Sequence, residues 1–245
     1  MELYNSIIRD TEAALSQLQP MRFDYDPAKA WTSAKDFELV MAREGAYELG
    51  GGGKPAVCFS CVTTSGSLVG EDGIYVYGPD LMDLRADTPY ARIALIRVGD
   101  IESDDENDTE EAFRAIQDID FVRYRVFPKG FMMRTSSEAG REQVRVASSA
   151  LKAGLTFEKL GNLFISNYKK NINVLNVKLI FITDQKADFA AMAKSAKTVH
   201  DITMSLSKIL EGLPTDCASC NLKDICDEVE GMKELHFSSS SVPKR

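Results

Sequence analysis

Leu175 to Thr183, LNVKLIFIT, followed by Asp184 to Glu211, DQKADFAAMAKSAKTVHDITMSLSKILE, is the stretch that decides the fold. The first part is a short, nearly continuous apolar run rich in β-branched residues, which predicts a buried strand. The second carries Phe189, Met192, Ala196, Val199, Ile202, Leu206 and Ile209 on one face of a long helix. A buried strand that feeds an amphipathic helix requires a layer of helix packed on sheet. His200 lies on this helix with no second metal-ligating residue one turn away, so it reads as a packing or surface residue.

Upstream, Thr156 is placed to cap a helix carrying Phe157, Leu160, Leu163, Phe164 and Tyr168. Before it, Ser136 or Ser137 predicts a cap for a helix over Glu138 to Ala153, ending at Gly154. Phe121 to Phe127 and Phe131 to Arg134 read as strands broken by Pro128 and Gly130. Ala91 to Val98, ARIALIRV, reads as a buried strand, and Gly73 to Tyr77, GIYVY, as a short one ending in the turn Gly78-Pro79-Asp80. Asp100 to Glu111 is strongly acidic, with Thr109 as a cap for a helix carrying Ala112, Phe113, Ile116 and Ile119.

The first part of the chain changes period twice. Leu3, Ile7, Ile8, Leu15 and Leu18 predict an amphipathic helix that ends before Pro20. Met21 to Asp36 reads as an ordered connection containing Trp31, the one tryptophan. From Phe37 a period of two begins, through Phe37, Leu39 and Met41, then Ala46, Tyr47 and Leu49, and, after Gly50 to Gly53, Val57 to Val62. This predicts two strands joined by a glycine turn. Lys54 after the glycines does not make a phosphate loop, because the required spacing and the following helix are both missing.

These elements predict an α+β, mixed α/β fold: a layered mixed sheet with packed helices and a C-terminal cysteine-rich metal-binding tail. The expected divisions are an N-terminal helix and connection over 1–36, the main domain over 37–212, a cysteine motif over 213–237 and a disordered, Ser-rich tail over 238–245. A chain of 245 residues, 44% of them hydrophobic, can support such a core.

A net charge of −8 argues against nonspecific nucleic-acid binding. There is no apolar run long enough to cross a membrane, and the acidic, amphipathic opening MELYNSIIRDTEAALSQL is unlike a signal peptide. The expectation is a cytoplasmic protein. In that compartment an odd count of five cysteines with two C-x2-C pairs favours metal or redox chemistry over disulfides.

Three of the five are Cys217, Cys220 and Cys226, in the spacing C-x2-C-x5-C within DCASCNLKDICDEVEGMKELHF, Asp216 to Phe237. Thiolates at this spacing suit an iron–sulfur cluster of the [4Fe–4S] kind, or zinc. A fourth ligand has three sources: His236, Cys58 or Cys61 upstream, or a group outside the chain. Cys58 and Cys61 are three apart in a strand and should face opposite ways, which weakens their use as a pair. The competing reading is three reduced cysteines with Leu222, Ile225 and Val229 in a small core, although the acidic residues around them leave little to bury.

REGAYELGGGGKP followed by a strand, then IYVYGPDL, FMMRTS, GLTFEKLGNLF and IFITDQ leading into a long helix, occur here in an order that resembles the middle domain of the acetyl-CoA synthase (beta) subunit of the carbon monoxide dehydrogenase/acetyl-CoA synthase complex. The resemblance covers roughly Arg43 to Glu211. It implies a place in one-carbon metabolism, the Wood–Ljungdahl pathway, and partners among the complex's subunits or its corrinoid protein. The family's nickel and iron–sulfur centre is held in a later domain with a Cys-Gly-Cys element, which this chain does not contain. Acetyl-CoA synthesis by this polypeptide alone is therefore not expected, and an accessory or interaction protein is. The resemblance also implies coenzyme A binding, for which Arg123, Arg125, Lys129 and Arg134 are the matching-region candidates, against a reading as ordinary strand-surface charge. A non-catalytic, coenzyme A-binding subunit of a split synthase and a metal or redox sensor are the alternatives.

Overall fold

The computed structural model describes residues 3–99, 106–136 and 140–210; of the residues within it, the side chains of 106–113, 209 and 210 are not described. The elements in chain order are α1 (Asn5–Leu15), β1 (Pro20–Asp24), β2 (Gly45–Leu49), β3 (Ala56–Thr63), β4 (Gly73–Tyr77), β5 (Tyr90–Val98), α2 (Glu106–Arg125), β6 (Phe131–Ser136), β7 (Arg141–Ala147), α3 (Ser148–Lys152), α4 (Phe157–Tyr168), β8 (Val174–Ile182) and α5 (Phe189–Leu210). Short 3-10 turns occupy Pro27–Lys29 and Ala42–Glu44.

Five strands form one mixed sheet in the order β1-β4-β8-β5-β3, and three form a second, antiparallel sheet in the order β2-β7-β6. In the larger sheet β4 runs parallel to β8, and β5 parallel to β3, while β5 and β8 are antiparallel. The decisive apolar run is β8, at the centre; its second half, Leu179 to Ile182, is buried on both faces and wholly apolar, while Leu175, Asn176 and Lys178 of its first half reach solvent. The α+β class read from the sequence is the architecture found.

The faces of the sheet follow from the alternation along β3. Ser60 bonds Tyr168 of α4, and Thr63 bonds Asn5 of α1, so α4 lies on one face and α1 with α5 on the other. The helix α2 touches both α4 and α5 and so bridges the two helical layers. Gly161 sets the α4 contact: a Cβ there would lie 2.5 Å from Ile74 Cγ1, so the helix backbone rests directly on β4. The same holds where the small sheet meets α5. At Gly140, with φ of 54°, a Cβ would lie 2.6 Å from that of Ala196, and its carbonyl accepts the Cys58 N–H at 2.8 Å.

Several local expectations are corrected. Phe121 to Arg125 is the end of α2, a helix, where a strand is expected. Glu138 to Ala153 holds strand β7 and the short α3 in place of one long helix. Residues 37–41 form no strand, and β2 and β3 are not a hairpin: the glycine turn passes the chain from the small sheet to the large one. The connection after Pro20 begins as β1, an edge strand paired antiparallel with β4.

Candidate functional site

Four charged side chains meet where α2 and β7 approach β3 and β5. Arg92, on β5 beside Cys58 of β3, reaches across to β7 of the second sheet, and its Nε and Nη2 donate to Glu142 Oε1 and Oε2 at 2.8 and 2.5 Å. Thr135 of β6 donates to the same carboxylate at 2.8 Å, and the Arg92 guanidinium lies 4.3 Å over the Phe164 ring of α4. Arg123 of α2 donates to Asp120 one helical turn back at 2.8 Å, with the Tyr124 ring 4.9 Å away. All four are buried or nearly so.

Burial works against the Glu142 charge, but Arg92, Thr135 and Arg123 outweigh it and hold the carboxyl below the usual glutamate range. At Asp120 burial prevails over Arg123, Arg92 and His200, and the carboxyl is raised. The two carboxyls are thus shifted in opposite directions. The Arg123 Nε, Asp120 Oδ1 and the Tyr90 hydroxyl are buried without a hydrogen-bond partner among the described residues.

A hollow of about 150 Å³ opens onto this cluster. Arg123, Tyr124 and Thr135 line it, together with Phe37 and Glu38 of the segment 36–41, and its apolar wall includes Phe131, Met132 and Met133. A broader groove of about 870 Å³ lies between Trp31, Leu39, Val40, Arg43, Lys129 and Ala150. Its rim is the strap 36–41, anchored at Val40, whose carbonyl accepts from Arg145 at 2.9 Å and whose N–H donates to Met132 Sδ at 3.3 Å. The neighbours of Val40 turn outward: Phe37 is 52% exposed, Leu39 60% and Met41 46%.

The four candidate basic residues do not share one environment. Arg123 is 6% exposed and paired with Asp120, whereas Arg125, Lys129 and Arg134 are exposed. Arg125 lies against the Phe121 ring at 5.7 Å, Lys129 lines the broad groove, and Arg134 stands on β6. Cys217, Cys220, Cys226 and His236 lie outside the described residues. Cys58 and Cys61 are both buried on β3, on alternate faces. Burial pushes the Cys58 thiol up to about 12 despite Arg92, and pushes Cys61 up as well. Among the described residues no three His, Cys, Asp or Glu side chains are grouped so as to hold a metal ion, and no helix is long and apolar enough to cross a membrane.

The ion-pair cluster and the exposed strap are functional candidates that the sequence alone does not single out. Phe37, Leu39 and Met41 alternate, a pattern that predicts a strand, whereas the structure holds the segment out as a strap. No family model matches the chain, and no curated protein matches it.

Proposed function

We propose that the chain is an accessory or interaction protein of carbon monoxide dehydrogenase/acetyl-CoA synthase metabolism. It docks through the strap and groove onto a subunit of that complex or its corrinoid protein, and it carries a metal site at Cys217, Cys220 and Cys226. The observation that supports docking is the strap: three large apolar side chains held out to solvent beside a groove, at a cost that a partner's surface would remove. Arg43 and Lys129 at the groove are matched by Glu38 and Glu44, so its rim offers charges of both signs around an apolar strap. The order of motifs over Arg43 to Glu211 supports the choice of pathway.

Three thiolates make a donor set suited to a [4Fe–4S] cluster that takes its fourth ligand elsewhere, or to zinc completed by a nitrogen. Such a group would serve assembly or electron supply. Coenzyme A binding is the alternative, and it draws on the exposed Arg125, Lys129 and Arg134; Arg123 is committed to Asp120. Calorimetry with coenzyme A tests that alternative directly. Docking is tested by capture on the tagged chain from an anaerobic extract of a cell that makes the complex. Recovery of its subunits or the corrinoid protein is expected, and recovery of none of them overturns the proposal.

A further inference from the structure

Strand β1 closes one end of the five-stranded sheet, so its outer edge has no strand partner among the described residues. An unpaired edge offers backbone N–H and C=O groups to a further strand. The two faces of β1 are fixed by its neighbours. Phe23 lies opposite Ile74, on which Gly161 of α4 rests, and the Tyr25 hydroxyl, just past the strand, is 3.0 Å from that of Ser166 on α4. Arg22 lies opposite Tyr75, and the Lys178 ammonium over that ring donates to Glu12 of α1. Met21, Phe23 and Tyr25 therefore belong to the α4 face, and Arg22 and Asp24 to the α1 face. The Asp24 side chain is 90% exposed and only loosely held, with Arg22 Nη2 at 3.5 Å, while the same nitrogen reaches Glu71 at 2.8 Å.

We infer that β1 pairs antiparallel with β1 of a second copy about a two-fold axis at Phe23, joining the two large sheets into one. A two-fold pairing keeps equivalent faces on the same side, so odd-numbered residues meet odd-numbered ones and even meet even. Centred on Arg22, the pairing sets two Arg22 guanidinium groups together; centred on Asp24, it sets two Asp24 carboxylates together. Centred on Phe23, it sets Arg22 against Asp24 twice, Phe23 against Phe23, and Met21 against Tyr25. Opposite charges and aromatic pairs directly across two strands are stabilising, and like charges are destabilising. Only the Phe23 register matches Arg22 with Asp24. Five residues per copy make a small interface, so the dimer is weak and concentration-dependent. It uses no residue of the strap and does not rest on the docking proposed above.

The test is sedimentation equilibrium of the full chain from about 1 µM to about 500 µM, the range suited to a small interface. Reversible association of monomer to dimer is expected. Arg22→Asp alone and Asp24→Arg alone each place like charges across both contacts and should weaken the dimer about tenfold or more. Mixed in equal amounts, the two variants place opposite charges across both contacts and should associate as the parent does. Both positions are exposed, so the variants fold, and recovery on mixing reports the register itself. Leu39→Asp/Met41→Asp should leave the dimer unchanged, which separates this contact from the strap. A monomer throughout, single variants that dimerise like the parent, a mixture no stronger than either variant alone, or loss of the dimer in Leu39→Asp/Met41→Asp overturns the inference.

Discussion

Arg92 and Glu142 form a two-bonded ion pair across the boundary between the two sheets, at 2.8 and 2.5 Å, with neither side chain more than 1% exposed. Replacing such a pair by apolar residues can be harmless, but removing one partner leaves a buried charge uncompensated. Glu142→Ala is therefore expected to cost about 3–5 kcal/mol of unfolding free energy, and Arg92→Met/Glu142→Leu together much less than the sum of the single changes. Chemical denaturation of the three variants checks this.

The same pair fixes a pH dependence. The Glu142 carboxyl is held below its ordinary value in the folded chain, so the unfolded chain binds its proton first as pH falls. Its contribution is fully present above the ordinary glutamate value of about 4.3 and is lost as pH drops below it toward the folded value. Asp120, raised by burial, acts in the opposite sense: its contribution declines as pH rises from the ordinary aspartate value through the raised one. Carboxyl carbon shifts followed through an NMR titration should move the two residues in opposite directions from their ordinary values.

Gly161 reverses an ordinary helix rule. In an exposed helix interior Ala is favoured over Gly by about 1 kcal/mol. Here the added Cβ would meet Ile74 Cγ1, Cγ2 and Cδ1 at 2.5 to 2.8 Å, and neither the helix nor the buried strand can easily give way. Gly161→Ala should destabilise by about 1–3 kcal/mol, read as a fall in denaturation midpoint, and Gly161→Ala/Ile74→Ala should recover part of the loss.

Thiol chemistry should separate the two groups of cysteines. Cys58 and Cys61 are buried with raised thiol pKa values, so neither presents a thiolate at neutral pH. Iodoacetamide followed by peptide mass spectrometry is expected to leave both unmodified in the native chain and to modify both after unfolding. Iron, zinc and acid-labile sulfide are then measured on anaerobically purified chain. The proposed site predicts metal content that Cys217→Ser/Cys220→Ser/Cys226→Ser abolishes.

Most of the regular structure was legible in the sequence. GIYVY, ARIALIRV and LNVKLIFIT became β4, β5 and β8 because central strands covered on both faces are apolar nearly throughout. The Thr156 cap bonds the Lys159 N–H at 3.3 Å and opens α4 as expected.

The two main departures from the expected elements have one physical cause. In α2 the inward stripe runs Ile116, Ile119, Arg123, continuing to Val126 just past the helix, at helical spacing, but an arginine in a core position breaks the apolar pattern and leaves VRYRV looking like alternation. In β7 the inward residues are Glu142, Val144 and Val146, and a buried glutamate hides the strand in the same way. Each charge is tolerated inside because of a partner distant from the local pattern or one turn away, Arg92 for one and Asp120 for the other. The place where local pattern and fold disagree is thus the candidate cluster itself.

The central claim, docking to the carbon monoxide dehydrogenase/acetyl-CoA synthase system through the strap, is tested most directly by anaerobic biolayer interferometry of the immobilised chain against the purified complex and its corrinoid protein. The strap residues are exposed, so Leu39→Asp/Met41→Asp should change unfolding stability by no more than about 0.5 kcal/mol per site. Saturable binding to one of the two, weakened about tenfold or more by that double substitution, is the predicted result. Absence of binding to both, or binding that the substitution leaves unchanged, contradicts the account.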